Sequence, residues 1–329
     1  MSLSSFLSFI SSIGFFIYGM SLLSESLQNL AETKPDKLLG KVTDKPLMSV
    51  FLGAIATGVV QSSTATTLMT MGLLEAGLLS IFQALPVVMG ANIGTTVTAQ
   101  IIKLADIDTS FPIFSILKPS YLAPFFIFIG AFQKLFFKKR EVLQSASLFL
   151  GAGILFYGMN LMENSLQPLA DPEIFPRILF SFSNPFLLFL CGIILTAVLQ
   201  SSSVSVGILQ AVSAAGLISF ADAVPILLGM NIGKCLPEFV ASLGMSRKVK
   251  VLMVSDLIVN LSGCVIFGVI LIFLPDDIFN MQSTRTLIAN FHTFFNVTST
   301  LLILPFYKNI IKISERIIQP SAKQHPSAR

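Results

Sequence analysis

Long apolar stretches, each broken by a few polar residues, run through almost the whole chain. Their apolarity is continuous, not alternating in strands of about ten residues, so helices are predicted and a barrel is not. The helices fall over residues 3–31, 46–60, 63–80 and 83–103, and again over 143–169, 184–199, 202–220 and 222–244. One more, over 119–137, separates the two sets, and two follow at 250–274 and 287–310. A helical crossing needs about 20 apolar residues. The stretches 46–60 and 184–199 fall short of that, and each runs into a Gln-Ser-Ser, at Gln61-Ser62-Ser63 and Gln200-Ser201-Ser202. Two short legs with a hydroxyl-rich tip predict a re-entrant hairpin in each set.

The two sets are copies. Residues 14–94 lie over 153–233 without a gap, at the offset of 139 that separates Gln61 from Gln200. Tyr18-Gly19-Met20 matches Tyr157-Gly158-Met159, Ser26-Leu27-Gln28 matches Ser165-Leu166-Gln167, and Thr57 matches Thr196. Further along, Gly77-Leu78 matches Gly216-Leu217, Pro86 matches Pro225, and Asn92-Ile93-Gly94 matches Asn231-Ile232-Gly233. Two unrelated greasy helices would not keep Gln, Asn, Pro and Gly in register. The expected organisation is a first repeat (1–118), a connecting helix and loop (119–142), a second repeat (143–245), two additional helices (246–310) and a tail of little fixed structure (311–329). Three full crossings precede the second copy, or five if the hairpin legs are counted. Either number is odd, so the copies are expected in opposite orientations.

Charge supports that topology. Lys138-Lys139-Arg140, Arg247-Lys248-Lys250, the Lys308/Lys312/Arg316 segment and the lysine-bearing 34–45 loop all fall on one side, as the positive-inside rule asks of cytoplasmic segments. Asp171–Glu173 and Asp276-Asp277 fall on the other. The N-terminus is therefore expected outside and the C-terminus in the cytoplasm. With 53% hydrophobic and 12% charged residues, most of the surface must face lipid. The fold class expected is an all-α polytopic membrane protein with two inverted-topology repeats. The first stretch has no basic leader or small-residue cleavage site and is expected to stay as a helix. The net charge of +4 belongs to basic loops and gives no reason to expect nucleic acid. Cys191, Cys235 and Cys264 lack paired spacing and are expected as buried, inert thiols.

The hairpin tips carry the chemistry. Copy one reads Gln61-Ser62-Ser63-Thr64-Ala65-Thr66-Thr67 and copy two Gln200-Ser201-Ser202-Ser203-Val204-Ser205-Val206. Free N–H groups at a helix start favour an anion. Hydroxyls, Gln carbonyl oxygens and the last carbonyls of the preceding leg are hard oxygen ligands suited to Na⁺. Broken helices meeting near the midplane suit a secondary transporter. Asn92 and Asn231 add amides at corresponding places. A single Ser/Thr cluster serves equally as a cap or interhelical bond; two in register point to a site.

Those tip motifs, with Met-Gly-Ala-Asn-Ile-Gly-Thr-Thr-Val-Thr-Ala (89–99), Phe-Tyr-Gly-Met-Asn-Leu-Met (156–162) and Asn-Phe-His-Thr-Phe-Phe-Asn (290–296), resemble the bacterial sodium–phosphate cotransporter family, itself related to the animal type II cotransporters. The resemblance spans roughly 10–310. It implies Na⁺-coupled symport of inorganic phosphate by alternating access in a multi-pass protein of the bacterial inner membrane, with no cofactor and Na⁺ as the coupling ion. It implies phosphate contacts from Ser62, Ser63, Ser201 and Ser202, with Asn92 and Asn231 beside them. It places Gln61, Thr64, Thr66, Thr95, Gln200 and Ser203 at or near Na⁺. Some relatives carry a soluble PhoU-like domain after the membrane part, and none is expected within these 329 residues. A homodimer is compatible with the sequence.

The second copy departs from the pattern. Where copy one has Thr95-Thr96-Val97-Thr98-Ala99, copy two has Lys234-Cys235-Leu236-Pro237-Glu238. Asp256 follows, four residues before Asn260, and His292 stands four before Asn296. Ionisable residues inside a membrane segment are functional candidates. Lys234 either takes the place of a coupling cation, with Asp256 or Glu238 as counter-ion, or reaches the anion or an aqueous face. Three rival functions stay open to different degrees. A hydrolase would need a base beside its serine, yet His292 is the only His in these helices and no Gly-x-Ser-x-Gly occurs. A passive anion channel would need a basic lining. A carrier of the same fold for another oxyanion, with altered cation coupling, is the nearest alternative.

Overall fold

The computed structural model describes residues 3–30, 45–104, 119–166, 184–272 and 281–318. The first copy comprises α1 (Leu3–Leu30), α2 (Pro46–Val60), α3 (Ser63–Glu75), α4 (Ile81–Gly94) and α5 (Thr96–Lys103). After α6 (Pro119–Phe136), the second comprises α7 (Arg140–Leu166), α8 (Pro185–Leu199), α9 (Ser202–Ala214), α10 (Phe220–Gly233) and α11 (Cys235–Ser242). Then come α12 (Arg247–Ile272), α13 (Arg285–Ile303), a 3-10 turn (Leu304–Phe306) and α14 (Tyr307–Ile317). Among the described residues, six segments are long and apolar enough to cross a membrane: 4–23, 81–103, 140–158, 220–242, 247–271 and 285–317. The chain is a multi-pass, nearly all-helical membrane protein. The loop charges at 34–44, 171–173 and 276–277 lie outside the described residues, as does the tail from 319 onward.

The same local devices shape both copies. Pro46 and Pro185 open α2 and α8 at the first turn, where a missing N–H costs nothing. Gly77 and Gly216 take left-handed backbone (φ +72° and +75°), ending α3 and α9 about five residues earlier than the apolar pattern predicts. Ser219 caps α10 by accepting from the Asp222 N–H at 3.2 Å, and in α4 the Ser80 N–H donates to Gln83 Oε1 at 2.9 Å. The helices expected at 83–103 and 222–244 are each split, at Thr95 and Lys234, one residue after Gly94 and Gly233. Pro86 and Pro225 sit inside α4 and α10 without ending them. The chain also stays helical to Ile317, seven residues into the stretch expected to lack structure, because α14 packs Tyr307, Ile310 and Ile311 onto α12.

Glycine seams hold each copy together. A Cβ on Gly53 would run into the Val87 carbonyl oxygen, and one on Gly90 into that of Val50. In copy two, Gly192 lies on Ile226 and Gly229 on Phe189, the same four positions 139 residues on. The α2/α4 and α8/α10 pairs thus repeat the same backbone-to-backbone approach. Across copies, α1 packs antiparallel to α7: Gly19 lies on Leu155, Phe16 on Gly158, and Leu23 on Gly151. The segment after each split also packs across, α5 on α9 and α11 on α3. The main core lies between α3, α4, α12, α13 and α14 around Met71, Leu85, Met89, Leu252 and Ile311. Cys235 and Cys264 are buried as expected, whereas Cys191 is on the outer face of α8, and all three are free thiols.

Candidate functional site

Each copy's first two short helices meet at one glutamine. Gln61 and Gln200 are the only non-glycine residues with positive φ among the described residues, at 58° and 53°. A left-handed side-chain-bearing residue costs roughly 1–2 kcal/mol, so the repeated occurrence marks a conformation held by its surroundings. Each glutamine closes the preceding helix, its N–H donating to Thr57 O at 2.7 Å or Thr196 O at 2.8 Å. The next residue turns extended and caps the following helix. Ser62 Oγ accepts from the Ala65 N–H at 3.2 Å, and Ser201 Oγ from the Val204 N–H at 3.3 Å. Such caps are worth about 1 kcal/mol each. They leave the N–H groups of Ser63 and Thr64, and of Ser202 and Ser203, at the open starts of α3 and α9 without intrahelical acceptors.

The two breaks face one cavity of about 390 Å³, lined by residues 60–65 and 199–204 together with Ile17, Ser21 and Glu25 of α1. Gln61, Ser62, Ser63, Thr64, Gln200, Ser201, Ser202 and Ser203 therefore come together, although 139 residues separate the two groups. Its N-cap hydroxyls and helix starts suit an anion, and its glutamine and hydroxyl oxygens suit a hard cation. The α1 residues were not singled out in the sequence. Their spacing of four places them on one helix face, and Glu25 was visible as a charge inside a predicted membrane helix.

The remaining candidates lie elsewhere. Thr66 donates to Ser62 O at 3.2 Å and Thr95 to Ala91 O at 3.0 Å, both inside their own helical turn. Asn231 donates to Leu227 O at 3.1 Å. Asn92 is buried beside α12, with Asn260 Oδ1 3.4 Å from its amide nitrogen. Lys234 is also buried, 3% exposed, and its Nζ donates to Asn92 Oδ1 at 2.6 Å. It neither lines the cavity nor reaches an aqueous face. Glu238 and Asp256 are buried within electrostatic range of it. His292 and Asn296 are buried as well, the Asn amide donating to His292 O at 2.8 Å.

Two further features escaped the sequence reading or were only half visible there. Thr57 and Thr196, one turn before each glutamine, have fully buried Oγ1 atoms with no hydrogen-bond partner. They pack on Gly94 and Gly233, next to the splits at Thr95 and Lys234. Their match across the copies was the signal; the missing partner is a property of packing. The two glutamines also differ. Thr98 donates to Gln61 Oε1 at 2.7 Å and Gln61 is buried, whereas Pro237 occupies the counterpart of Thr98 and Gln200 is exposed.

Comparisons with known proteins agree with these repeated elements. The family model described as Na⁺/Pi-cotransporter matches twice, over residues 15–164 and 154–295. The chain is 28% identical over 310 residues to the uncharacterized protein YqeW of Bacillus subtilis, covering 92% of this chain and 96% of that protein. It is 24% identical over 312 residues to a protein of Escherichia coli named putative inorganic phosphate export protein YjbB, covering 94% of this chain but only 55% of YjbB. A 95-residue stretch, 28% of the chain, is 30% identical to the human sodium-dependent phosphate transport protein 2B and spans 14% of it. No solved structure matches at a significant level. The two family matches together cover most of the chain, and it belongs to the Na⁺/Pi-cotransporter family.

Proposed function

We propose that this chain carries inorganic phosphate across the bacterial inner membrane together with Na⁺, holding the anion between the two Gln-Ser-Ser tips. The observation that carries the reading is the single cavity shared by both tips. Phosphate would accept from the N–H groups and hydroxyls of Ser62, Ser63, Ser201 and Ser202, where two helix starts supply partial positive charge. Gln61, Thr64, Gln200 and Ser203, which line the same cavity, would offer oxygens to Na⁺. The orphaned Thr57 and Thr196 hydroxyls offer one more oxygen on each side.

Alternating access follows if the copies are inverted re-entrant units, and three observations favour this. The repeat-related α1 and α7 run antiparallel. The end of the first hairpin sits at the start of α12, where Glu75 accepts from the Ser246 N–H at 3.1 Å. The end of the second hairpin sits beyond the other end of α12, where Ser283 donates to Ser213 at 3.0 Å; α13 runs back along α12, with Phe267 against Phe291 and Phe295. Corresponding points thus lie at opposite ends of one 26-residue helix, about 39 Å long. Among the described residues the cavity is lined by α1 and not by α7, and an exchange of these roles would open the opposite face. Arg247 donates to Glu315 O and Ile318 O at 2.7 and 2.9 Å, which gathers the basic residues of α12 and α14 at one end, the cytoplasmic one by the positive-inside rule.

The test is uptake of labelled phosphate by reconstituted proteoliposomes with and without a Na⁺ gradient, in competition with arsenate and sulfate. Na⁺-driven accumulation blocked by unlabelled phosphate supports the reading. Equilibration alone would indicate a channel, and equal competition by sulfate would indicate a broader oxyanion carrier.

A further inference from the structure

The split helix of the second copy is built differently from that of the first. In copy one the split between α4 and α5 is surrounded by neutral oxygens: Thr95, Thr96 and Thr98 are buried, and Thr98 holds Gln61. In copy two the same split carries Lys234 on nearly the same backbone, φ −65° and ψ −27° against −58° and −29° for Thr95. Its ammonium leaves its own copy and donates to Asn92 Oδ1 in copy one. Two carboxylates accompany it, Glu238 on α11 at 2% exposure and Asp256 on α12 at 1%. The counterpart of Glu238 in copy one is Ala99.

The charges do not balance. One ammonium lies within electrostatic range of two carboxylates, and a buried unpaired carboxylate is strongly disfavoured. Asp256 Oδ2 accepts from the Cys235 thiol at 3.4 Å. Its Oδ1 is buried with no hydrogen-bond partner, although the Asn92 and Asn260 amides lie nearby. Asn260 spends its amide on Asp256 O at 2.9 Å. A carboxylate oxygen, two amide oxygens and a second carboxylate are hard donors of the kind a small monovalent cation takes.

We infer that Asp256, Glu238, Asn92 and Asn260 form a cation site with two positions, one filled permanently by the Lys234 ammonium and the other by a mobile Na⁺. The lysine is a resident cation that the first copy lacks. The inference rests on the Na⁺-coupled reading above, and it adds a count: Lys234→Thr frees the position that the ammonium holds, so that one more Na⁺ moves with each phosphate. One extra charge carried through the field raises the phosphate gradient sustained at 100 mV by about 50-fold.

The experiment measures labelled Na⁺ and charge moved per phosphate in proteoliposomes for the wild type, Lys234→Thr and the charge-balanced Lys234→Thr/Asp256→Asn. The expected result is one additional Na⁺ per phosphate in the single variant and a return to the wild-type ratio in the double variant. An unchanged ratio in Lys234→Thr overturns the inference. A wild type that moves phosphate without Na⁺ removes the coupling reading instead. The site is then judged by a second measurement on purified protein, the rise in melting temperature from choline chloride to NaCl. The same measurement serves if Lys234→Thr is inactive. A larger Na⁺-dependent rise in Lys234→Thr than in the wild type supports the two-position site, and an equal or smaller rise overturns it.

Discussion

The orphaned hydroxyls of Thr57 and Thr196 give a prediction whose sign depends on Na⁺. Each side chain is fully buried, and neither Oγ1 has a hydrogen-bond partner. Valine has nearly the same shape without the oxygen. Leaving a buried hydroxyl unsatisfied costs about 1–3 kcal/mol, so Thr57→Val and Thr196→Val should each stabilise the Na⁺-free protein by up to that amount. If the hydroxyl is a Na⁺ ligand, the order reverses in Na⁺. A ligand at 100 times its dissociation constant stabilises by about 2.7 kcal/mol, and the valine variants lose much of that gain. The assay is thermal unfolding in detergent across a NaCl titration at constant ionic strength, with choline as the replacement cation. The expected outcome is a higher melting temperature than wild type without Na⁺ and a lower one, or a weaker Na⁺ response, at saturation. Parallel curves for wild type and both variants would refute the assignment of these oxygens to a cation.

Ser62→Ala and Ser201→Ala each remove a helix cap and a cavity hydroxyl, and should raise the half-saturating phosphate concentration roughly 10- to 100-fold, the range expected for hydrogen bonds to a charged ligand; transport kinetics over a phosphate series check this. Thr98→Val leaves Gln61 Oε1 buried without its 2.7 Å donor and should cost about 1–3 kcal/mol of stability, read as a lowered melting temperature. Gly53→Ala and Gly192→Ala drive a methyl into the Val87 and Ile226 carbonyls and should cost about 1–3 kcal/mol or more. Loss of the monodisperse peak on size exclusion is the readout, and Gly72→Ala, where a Cβ meets nothing, is the control.

Much of this organisation is legible in the chain itself. The helix breaks at Gln61 and Gln200 show as polar clusters ending runs too short to span a bilayer, and the constant offset of 139 shows that the two breaks are one design used twice. The splits at Thr95 and Lys234 do not show, because apolar periodicity continues through them and the prolines at 86 and 225, the usual markers, sit inside unbroken helices. Long-range pairs were also out of reach. Nothing local joins Lys234 to Asn92 or Thr98 to Gln61, and the involvement of α1 in the cavity depends on how α1 lies beside the two tips. The replacement of Thr98 by Pro237 was legible, yet its effect on the two glutamines required the packed structure.

The glycine seams have a mechanical consequence. With Gly53 and Gly90 seated on carbonyls of the facing helix, no side chain separates α2 from α4, and the same holds for α8 and α10 through Gly192 and Gly229. Backbones in direct contact cannot slide by rotamer changes alone, because every step of such a slide would lift a glycine off its carbonyl. Each pair is therefore a stiff plank. Whatever rearrangement exchanges one open face for the other must be absorbed at its ends, in the glutamine turns and the splits at Thr95 and Lys234, and along the α1/α7 contact. The residues that bind and the residues that bend are then the same few positions, so a change at either tip should alter affinity and rate together.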